Sequence, residues 1–537
     1  MSILKISRFK QSGHILVFVS LFLIALSLSV FSVFDSGQLT LERTKLQTTA
    51  DSAAYTAAVI QSRELNFHAY TNRAMAANHV TVAQMVSLSS YFQNNQQMFW
   101  NLELIGDWLQ AVPYVGQVIN KLTDAAEAFF SIVNEAIQNA GSLVVVGANE
   151  LNKVYSESQS IFHGATVAGL VLDVEEVIRL NDPDANAFMA ASALTLADIT
   201  SWENFVKRYE VDKAERAYGG SSSSSWRGTG SSGSSRDNEE DKTRLDQYRD
   251  VVLRSRDEFT SNRDNSFWES PVSIPGIIKD IRIEQRGGSE MGVVDGKNAP
   301  YYSFSAKDTM SIRAEVMKFK WGIPRGYRDR ELLPLGWGRQ VTHHSDSFDW
   351  YNPVQKNQYS NCTRYCYNSR PNISHLWRGA GYNSKASRFN DMRDRYGFME
   401  GSDTIAFYKD NDDEALGYEH GEYEGLQNFF DLTKPGLLAK SQSIRIFLAK
   451  DHNKIGTTDT INKLGEGLVV LNENPNQAME NGRQVSMSKG ESYFSRPRNL
   501  WQRKDGNYEY GNIYNPYWQP RLIALEQDDK RLGANIP

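Results

Sequence analysis

His14-Ile-Leu-Val-Phe-Val-Ser-Leu-Phe-Leu-Ile-Ala-Leu-Ser-Leu-Ser-Val-Phe-Ser-Val-Phe34 decides how this chain is read. No residue in it is formally charged at neutral pH, and about twenty apolar residues suffice to cross the hydrocarbon core of a bilayer. Lipid offers the backbone no hydrogen-bond partners, so the run must be helical. Ile15, Leu16, Phe18, Leu21, Leu23, Leu26, Phe31 and Phe34 are its expected lipid-facing anchors. No other run of this kind occurs in the sequence. Lys5, Arg8 and Lys10 precede it, whereas Asp35 and Glu42 are the first charges after it. That asymmetry places residues 1–13 in the cytoplasm and the long remainder across the membrane. A cleaved secretory signal is the competing reading, because Ser27 and Ser29 form a small-x-small pair. The apolar run continues past that pair, which favours a retained helix.

Downstream of the run, no glycine or proline occurs between Gly37 and Gly106, and good helix formers dominate. Leu39, Leu46, Ala53, Ile60, Phe67 and Ala74 recur every seven residues, with Ala50 and Ala57 on the neighbouring line. Leu39, Leu46, Ala50, Ala53, Ala57 and Ile60 form a stripe of small and apolar residues where another helix could approach closely. Unbroken from His14 to Gln96, this helix would be on the order of 120 Å long, with Gly37 as the expected bend.

Lys10-Gln-Ser-Gly13, the apolar run, and then Leu46-Gln47 with Ala50-Asp51-Ser52-Ala53-Ala54 resemble the N-terminal region of TadE/TadG-like proteins. These belong to the bacterial tight-adherence, or Flp pilus, assembly system. The resemblance covers about the first sixty residues. Tyr514-Asn-Pro-Tyr-Trp-Gln-Pro-Arg-Leu522 also resembles an ending found in large proteins of this type. The resemblance implies a single-pass protein of the bacterial inner membrane, with a cytoplasmic N-terminus and the bulk of the chain periplasmic or surface-exposed. It implies a minor-pilin-like role, with the lipid bilayer and other pilus-assembly or pilin-like subunits as partners through the stem helix. Gly13 is then the candidate processing site. Two features depart from the pattern. The fifth residue counted from His14 is Phe18, where type IV prepilins carry glutamate. The Asp-x-Ser-x-Ser metal motif of a von Willebrand A domain, frequent in the TadG branch, is absent.

Helical periodicity continues through Val118, Leu122, Ala125, Phe129, Val133 and Ala136. Gly141 should interrupt it before a second stretch through Leu151, Val154, Ile161, Leu170 and Val171. Asp182-Pro183-Asp184 is a stop followed by a fresh helix start, with Phe188, Ala191, Leu194, Ile199, Trp202 and Phe205 on one face. Residues 219–240 are a Ser/Gly-rich low-complexity loop. Leu245, Tyr248, Val252 and Phe259 mark a helix over 241–264. From about 265 to 537 the chain becomes rich in Gly, Pro, Tyr and Trp. Alternation at Ile312, Ala314 and Val316 slips phase at Met317, Phe319 and Trp321, the signature of a β-bulge. Ile444, Ile446 and Leu448 predict a strand, and Leu468 to Leu471 a short buried one. The fold class expected is α+β: a transmembrane and stem helix with a helical bundle, then a β-rich exported domain.

A net charge of −6 over 537 residues gives no polyanion-binding character. Nucleic acid is not an expected partner. Cys362 and Cys366 are the two cysteines, expected to close a local disulfide in an exported body. His343, His344, Asp346 and Asp349 form the densest set of metal-ligand types, but without helical spacing, and an exposed polar loop is the default. Asp410-Asn-Asp-Asp-Glu414 suits calcium by its oxygens, yet lacks the glycine and closing glutamate of an EF-hand. No nucleophile elbow, phosphate-binding loop or His-Glu-x-x-His occurs. The sequence therefore predicts no catalytic residue, cofactor or metal, and a non-catalytic envelope component. The alternatives are a membrane-anchored exported metal-dependent hydrolase, using the His343 neighbourhood, or a glycan-binding adhesin.

Overall fold

The computed structural model describes residues 14–109, 115–187, 193–219, 236–270, 277–292, 303–342, 418–419, 423–434, 441–457, 483–497, 506–507, 509–527 and 529. The fold is mixed α+β, beginning with two long helices, α1 (His14–Leu109) and α2 (Val115–Asn181). Neither breaks where its glycines suggested. α1 runs through Gly37, and α2 through Gly141, because one helical glycine costs only about 1 kcal/mol relative to alanine. Packing along a 67-residue helix outweighs that. α2 stops where Pro183 would have to continue it.

A two-residue strand, β1 (Asn186–Ala187), follows, and α3 spans Ala193–Glu203; Phe188 and Ala191 of the expected helix lie outside the described residues. β2 (Val206–Tyr209) and α4 (Val211–Gly219) come next. α5 (Arg236–Arg254) takes in the last residues of the low-complexity tract. Leu245, Tyr248 and Val252 are fully buried on it, whereas Phe259 is exposed on the separate short α6 (Glu258–Ser261). The strands that follow are β3 (Asn265–Ser270), β4 (Ile278–Gly292), β5 (Ser303–Lys320), β6 (Ile323–Val341), β7 (Tyr418–Glu419), β8 (Phe429–Leu432), β9 (Ser441–Asp451), β10 (Arg483–Phe494) and β11 (Trp518–Ile523).

The chain divides into two compact units. The first comprises Met1–Tyr70, Ser160–Lys207 and Asp431–Pro537; the second comprises Thr71–Gln159 and Arg208–Phe430. Each takes part of α1 and part of α2.

In the first unit, β1, β9, β10 and β11 form an antiparallel sheet in that order. Ile444, Ile446 and Leu448 of β9 point to one face, as the alternation predicted. They pack against Leu46, Ala50, Ala53, Ala54 and Ala57 of α1 and Leu170, Val174 and Ile178 of α2. β10 comes so close to α1 that a Cβ at Gly490 would lie 2.1 Å from the Ala54 carbonyl oxygen. The absence of a side chain at 490 and the smallness of Ala54 and Ala58 together permit this backbone-to-backbone seat.

In the second unit, β3, β4, β5 and β6 form an antiparallel meander to which β7 adds in parallel. The β5–β6 register shifts between Met317 and Phe319, where the apolar phase slips in sequence. Gly338 of β6 repeats the device seen at Gly490: a Cβ there would lie 2.0 Å from the Ser90 carbonyl oxygen of α1. Arg263 and Asp308, both buried, form a two-pronged ion pair with both N–H···O distances 2.8 Å.

The buried line of α1 corrects the seven-residue stripe. Leu46, Ala50, Ala53, Ala57, Gln61, Glu64, His68, Asn72, Met75, His79, Val82 and Val86 are all fully buried, following the 3.6-residue period of a straight helix. A seven-residue line drifts by about 20° per heptad relative to that period. Phe67 and Ala74, at its far end, have accordingly rotated to half-buried positions.

α2 departs further from the expected pattern. Of the residues on the expected helical period, Phe129, Leu151, Val154 and Ile161 are exposed and Leu170 is fully buried, while Asn134, Asn149, Asn152, Ser156 and Gln159 are buried. The cause is the polar character of the α1 line. Within the second unit, Asn134 donates to Gln96, Asn78 to Asn152, and Gln159 to both Thr71 and Asn72 at 2.6 and 2.7 Å. The partners descend α1 as they climb α2, so the helices run antiparallel there.

Candidate functional site

The residues expected to anchor the chain lie on the N-terminal part of α1. Ile15, Leu16, Phe18, Leu21, Leu23, Leu26, Phe31 and Phe34 lie on α1 with exposures from 42% to 76%, covered by nothing among the described residues. Their helix carries an 18-residue window of mean hydropathy 2.6. Among the described residues, no other helix is long and apolar enough to cross a membrane. An uncovered apolar helix of this length fits a membrane anchor or a signal segment.

The stem stripe is covered from within the chain, by α2 and by strands of the C-terminal sheet. Leu46, Ala50, Ala53 and Ala57 are fully buried, and Leu39 and Ile60 partly so, beneath the chain's own α2, β9 and β10. Polar contacts rivet the same seat. Gln484 donates to the Leu39 carbonyl, Ser486 to Gln47, and Ser62 and Ser492 share a buried hydrogen bond of 2.8 Å. The small residues thus receive the C-terminal sheet, and a partner helix has no access to them. At the start of the stem, Asp182 is fully buried and accepts from Lys45 at 3.1 Å and Lys450 at 3.2 Å. Lys450 also donates to Glu42 at 2.6 Å.

One chemically distinctive cluster lies further along in the first unit. Glu64 and His68 stand one turn apart on α1, and His163 comes from α2. His68 Nε2 lies 3.4 Å from Glu64 Oε1, and His163 Nδ1 contacts the same oxygen. Trp202 of α3 donates its indole N–H to Glu64 Oε2 at 3.2 Å. The ligand-type atoms of the three residues all lie within 4.8 Å of one another.

Burial pushes the Glu64 carboxyl up, but hydrogen bonds and charge from His163 and His68 outweigh it and hold the group below its ordinary value. Burial pulls His68 below the usual imidazole range, against the opposing pull of Glu64. The result is an ionised carboxylate held among imidazoles and an indole, with no lysine or arginine paired to it among the described residues. A buried carboxylate without a permanent cation is costly.

The sequence reading passed over this cluster. Its local trace is Glu64-x-x-x-His68, which puts two ligand types on one helical face. His163, about a hundred residues later, could be joined to them only by knowing how the helices pair. A second buried histidine, His79, is saturated differently: it contacts the Tyr423 hydroxyl at 2.7 Å and Asn152, and burial lowers it to about 3. It is a neutral core group. The remaining predicted positions, Gly13, Cys362, Cys366, His343, His344, Asp346, Asp349, the 410–414 loop and the Leu468 to Leu471 strand, lie outside the described residues.

Residues 13–59 match the sequence model of the Flp pilus-assembly TadE/G-like family. The match covers the apolar run and the alanine-rich start of the stem. No curated protein and no solved structure matches the chain at a significant level.

Proposed function

We propose that this chain is a non-catalytic, membrane-tethered subunit of a bacterial Flp/Tad-type pilus assembly, minor-pilin-like, with residues 35–537 on the far side of the inner membrane. The TadE/G-like segment supports a place in that machinery. The bare apolar face at residues 15–34 supports the tether. The seat on α1 supports a self-contained body, since the chain supplies the cover for its own alanines.

Partner subunits must then dock elsewhere, and α2 offers the surface. Ile132, Leu143 and Val154 are exposed by 68%, 77% and 60% and stand eleven residues apart. Eleven residues are close to three helical turns, so the three share one line. An exposed line of large apolar side chains on a polar-faced helix marks a contact surface. The occupant proposed is the apolar face of a helix from another subunit of the same assembly, packing ridge into groove.

The test is affinity purification of the full-length chain from solubilised membranes, wild type beside L143D/V154D, with co-purified assembly subunits quantified by mass spectrometry. Both positions are solvent-exposed, so the variant should keep its melting midpoint while recovering at least roughly tenfold less partner, equivalent to about 1.4 kcal/mol of lost association. Unchanged partner recovery would remove α2 as the docking face. Recovery of no assembly subunit with either protein would remove the pilus-assembly role itself.

A further inference from the structure

We infer that Glu64, His68 and His163 bind one divalent transition-metal ion, zinc by the chemistry of the donors. This site is independent of the assembly role, because it lies inside the first unit and uses none of the docking residues.

Two imidazoles and one carboxylate are a donor set that suits zinc, at metal–ligand distances of about 2.0–2.2 Å. Two ligands on a tetrahedral ion at those distances stand about 3.3–3.5 Å apart. Glu64 Oε1 and His68 Nε2 are already 3.4 Å apart. Spacing i to i+4 on α1 fixes both on one face, and α2 supplies the third ligand from across the helix pair. The ligand atoms of all three residues lie within 4.8 Å of one another, and the His163 ring has to draw back from the carboxylate to admit the ion.

Three further observations point the same way. The Trp202 indole holds Glu64 Oε2, which leaves Oε1 directed at the imidazoles; a hydrogen bond of this kind behind a carboxylate ligand orients it. Charge favours occupancy, since the buried carboxylate has imidazoles but no lysine or arginine against it, and a dication replaces repulsive desolvation with a bond. Gln61, one turn before Glu64 on the same face of α1, is fully buried with neither amide atom hydrogen-bonded. An unsatisfied buried amide calls for a polar partner at that level of the helix. The His163 side chain keeps 17% of its surface exposed, whereas Glu64 and His68 have none, so the ion would enter past His163.

The proposed role is a staple joining α1, α2 and, through Trp202, α3.

The test uses the full-length chain purified in detergent, stripped with chelator, equilibrated with zinc and desalted. Elemental analysis should return about one zinc per chain, and the melting midpoint should rise with zinc and fall again with chelator. Cobalt loading should give the visible d–d absorption of a four-coordinate N/O site, the three side chains being completed by one water. E64Q, H68Q and H163Q should each lose the ion, while W202F should keep its stoichiometry and bind about 10–100-fold more weakly. H343A/H344A should bind as wild type does. If the wild-type chain takes up no zinc, the inference is overturned, and the cluster is a metal-free hydrogen-bonded network. Zinc that survives all three ligand substitutions, or departs with H343A/H344A, overturns it equally by placing the ion elsewhere. The wild-type titration stands even if a ligand variant misfolds.

Discussion

Replacing Gly490 with alanine is expected to destabilise the first unit by about 2–4 kcal/mol, a large effect for one methyl group. The added Cβ would meet the Ala54 carbonyl oxygen at 2.1 Å and its carbon at 2.8 Å, with the Ala58 Cβ at 3.2 Å. The first two obstacles are backbone and cannot rotate away. β10 would have to lift off α1, opening the packing of Ile444, Ile446 and Leu448 on Ala50, Ala53 and Ala57. Thermal or denaturant unfolding of the detergent-solubilised chain should show the loss. G147A is the control, because a Cβ at Gly147 on α2 meets nothing within 4 Å. That substitution should be neutral or stabilising by up to about 1 kcal/mol. Equal midpoints for G490A and wild type would mean that β10 does not sit on the stem.

Removing Asp182 should be more damaging still, at about 3–5 kcal/mol. Its carboxylate is fully buried between Lys45 and Lys450, and the Lys450 side chain is itself only 2% exposed. D182A leaves the Lys450 ammonium in the interior with Glu42 alone, whereas Lys45, at 43% exposure, can turn to water. Adding K450M to D182A removes the stranded charge, so the double variant should recover at least about 1 kcal/mol relative to the sum of the single changes. Burial lowers the Lys450 pKa, but hydrogen bonds to Glu42 and Asp182 outweigh it and raise the group above its ordinary value. A raised lysine contributes stability in full below its unfolded pKa of about 10.4 and loses it as pH climbs through the folded value. The gap between wild type and D182A should therefore stay constant through neutral pH and close only in strong alkali. Simple additivity in the double variant would contradict the ion-pair arrangement.

The long apolar helix at the start of the chain was legible in the sequence because length and composition alone define it, whatever packs nearby. The alanines were legible as a close-approach surface, but alanine says only that something comes near. What comes near is α2 together with two strands, and the mark of the closest strand was Gly490 inside β10, a glycine in a strand interior where a neighbouring backbone intrudes. α2 misled for a physical reason. Hydrophobic periodicity assumes an apolar partner, and α1 presents Glu64, His68, Asn72 and His79 on its buried line. Polar residues of α2 turned inward to satisfy them, which left Phe129, Leu143 and Ile161 outside. The same long-range pairing hid the metal-type cluster, since Glu64 and His68 are near in sequence but His163 is not.

A cysteine pair replacing Ser62 and Ser492 tests most directly whether the stem is covered by its own chain. The two hydroxyl oxygens lie 2.8 Å apart in the buried seat between α1 and β10. Oxidised in native membranes, S62C/S492C should form a bond within one chain, seen as a faster-migrating monomer on non-reducing gels. Each single variant should stay uncrosslinked. A ladder of dimers from the pair, with no shifted monomer, would show that the alanine stripe faces another subunit, and the intramolecular seat would be wrong.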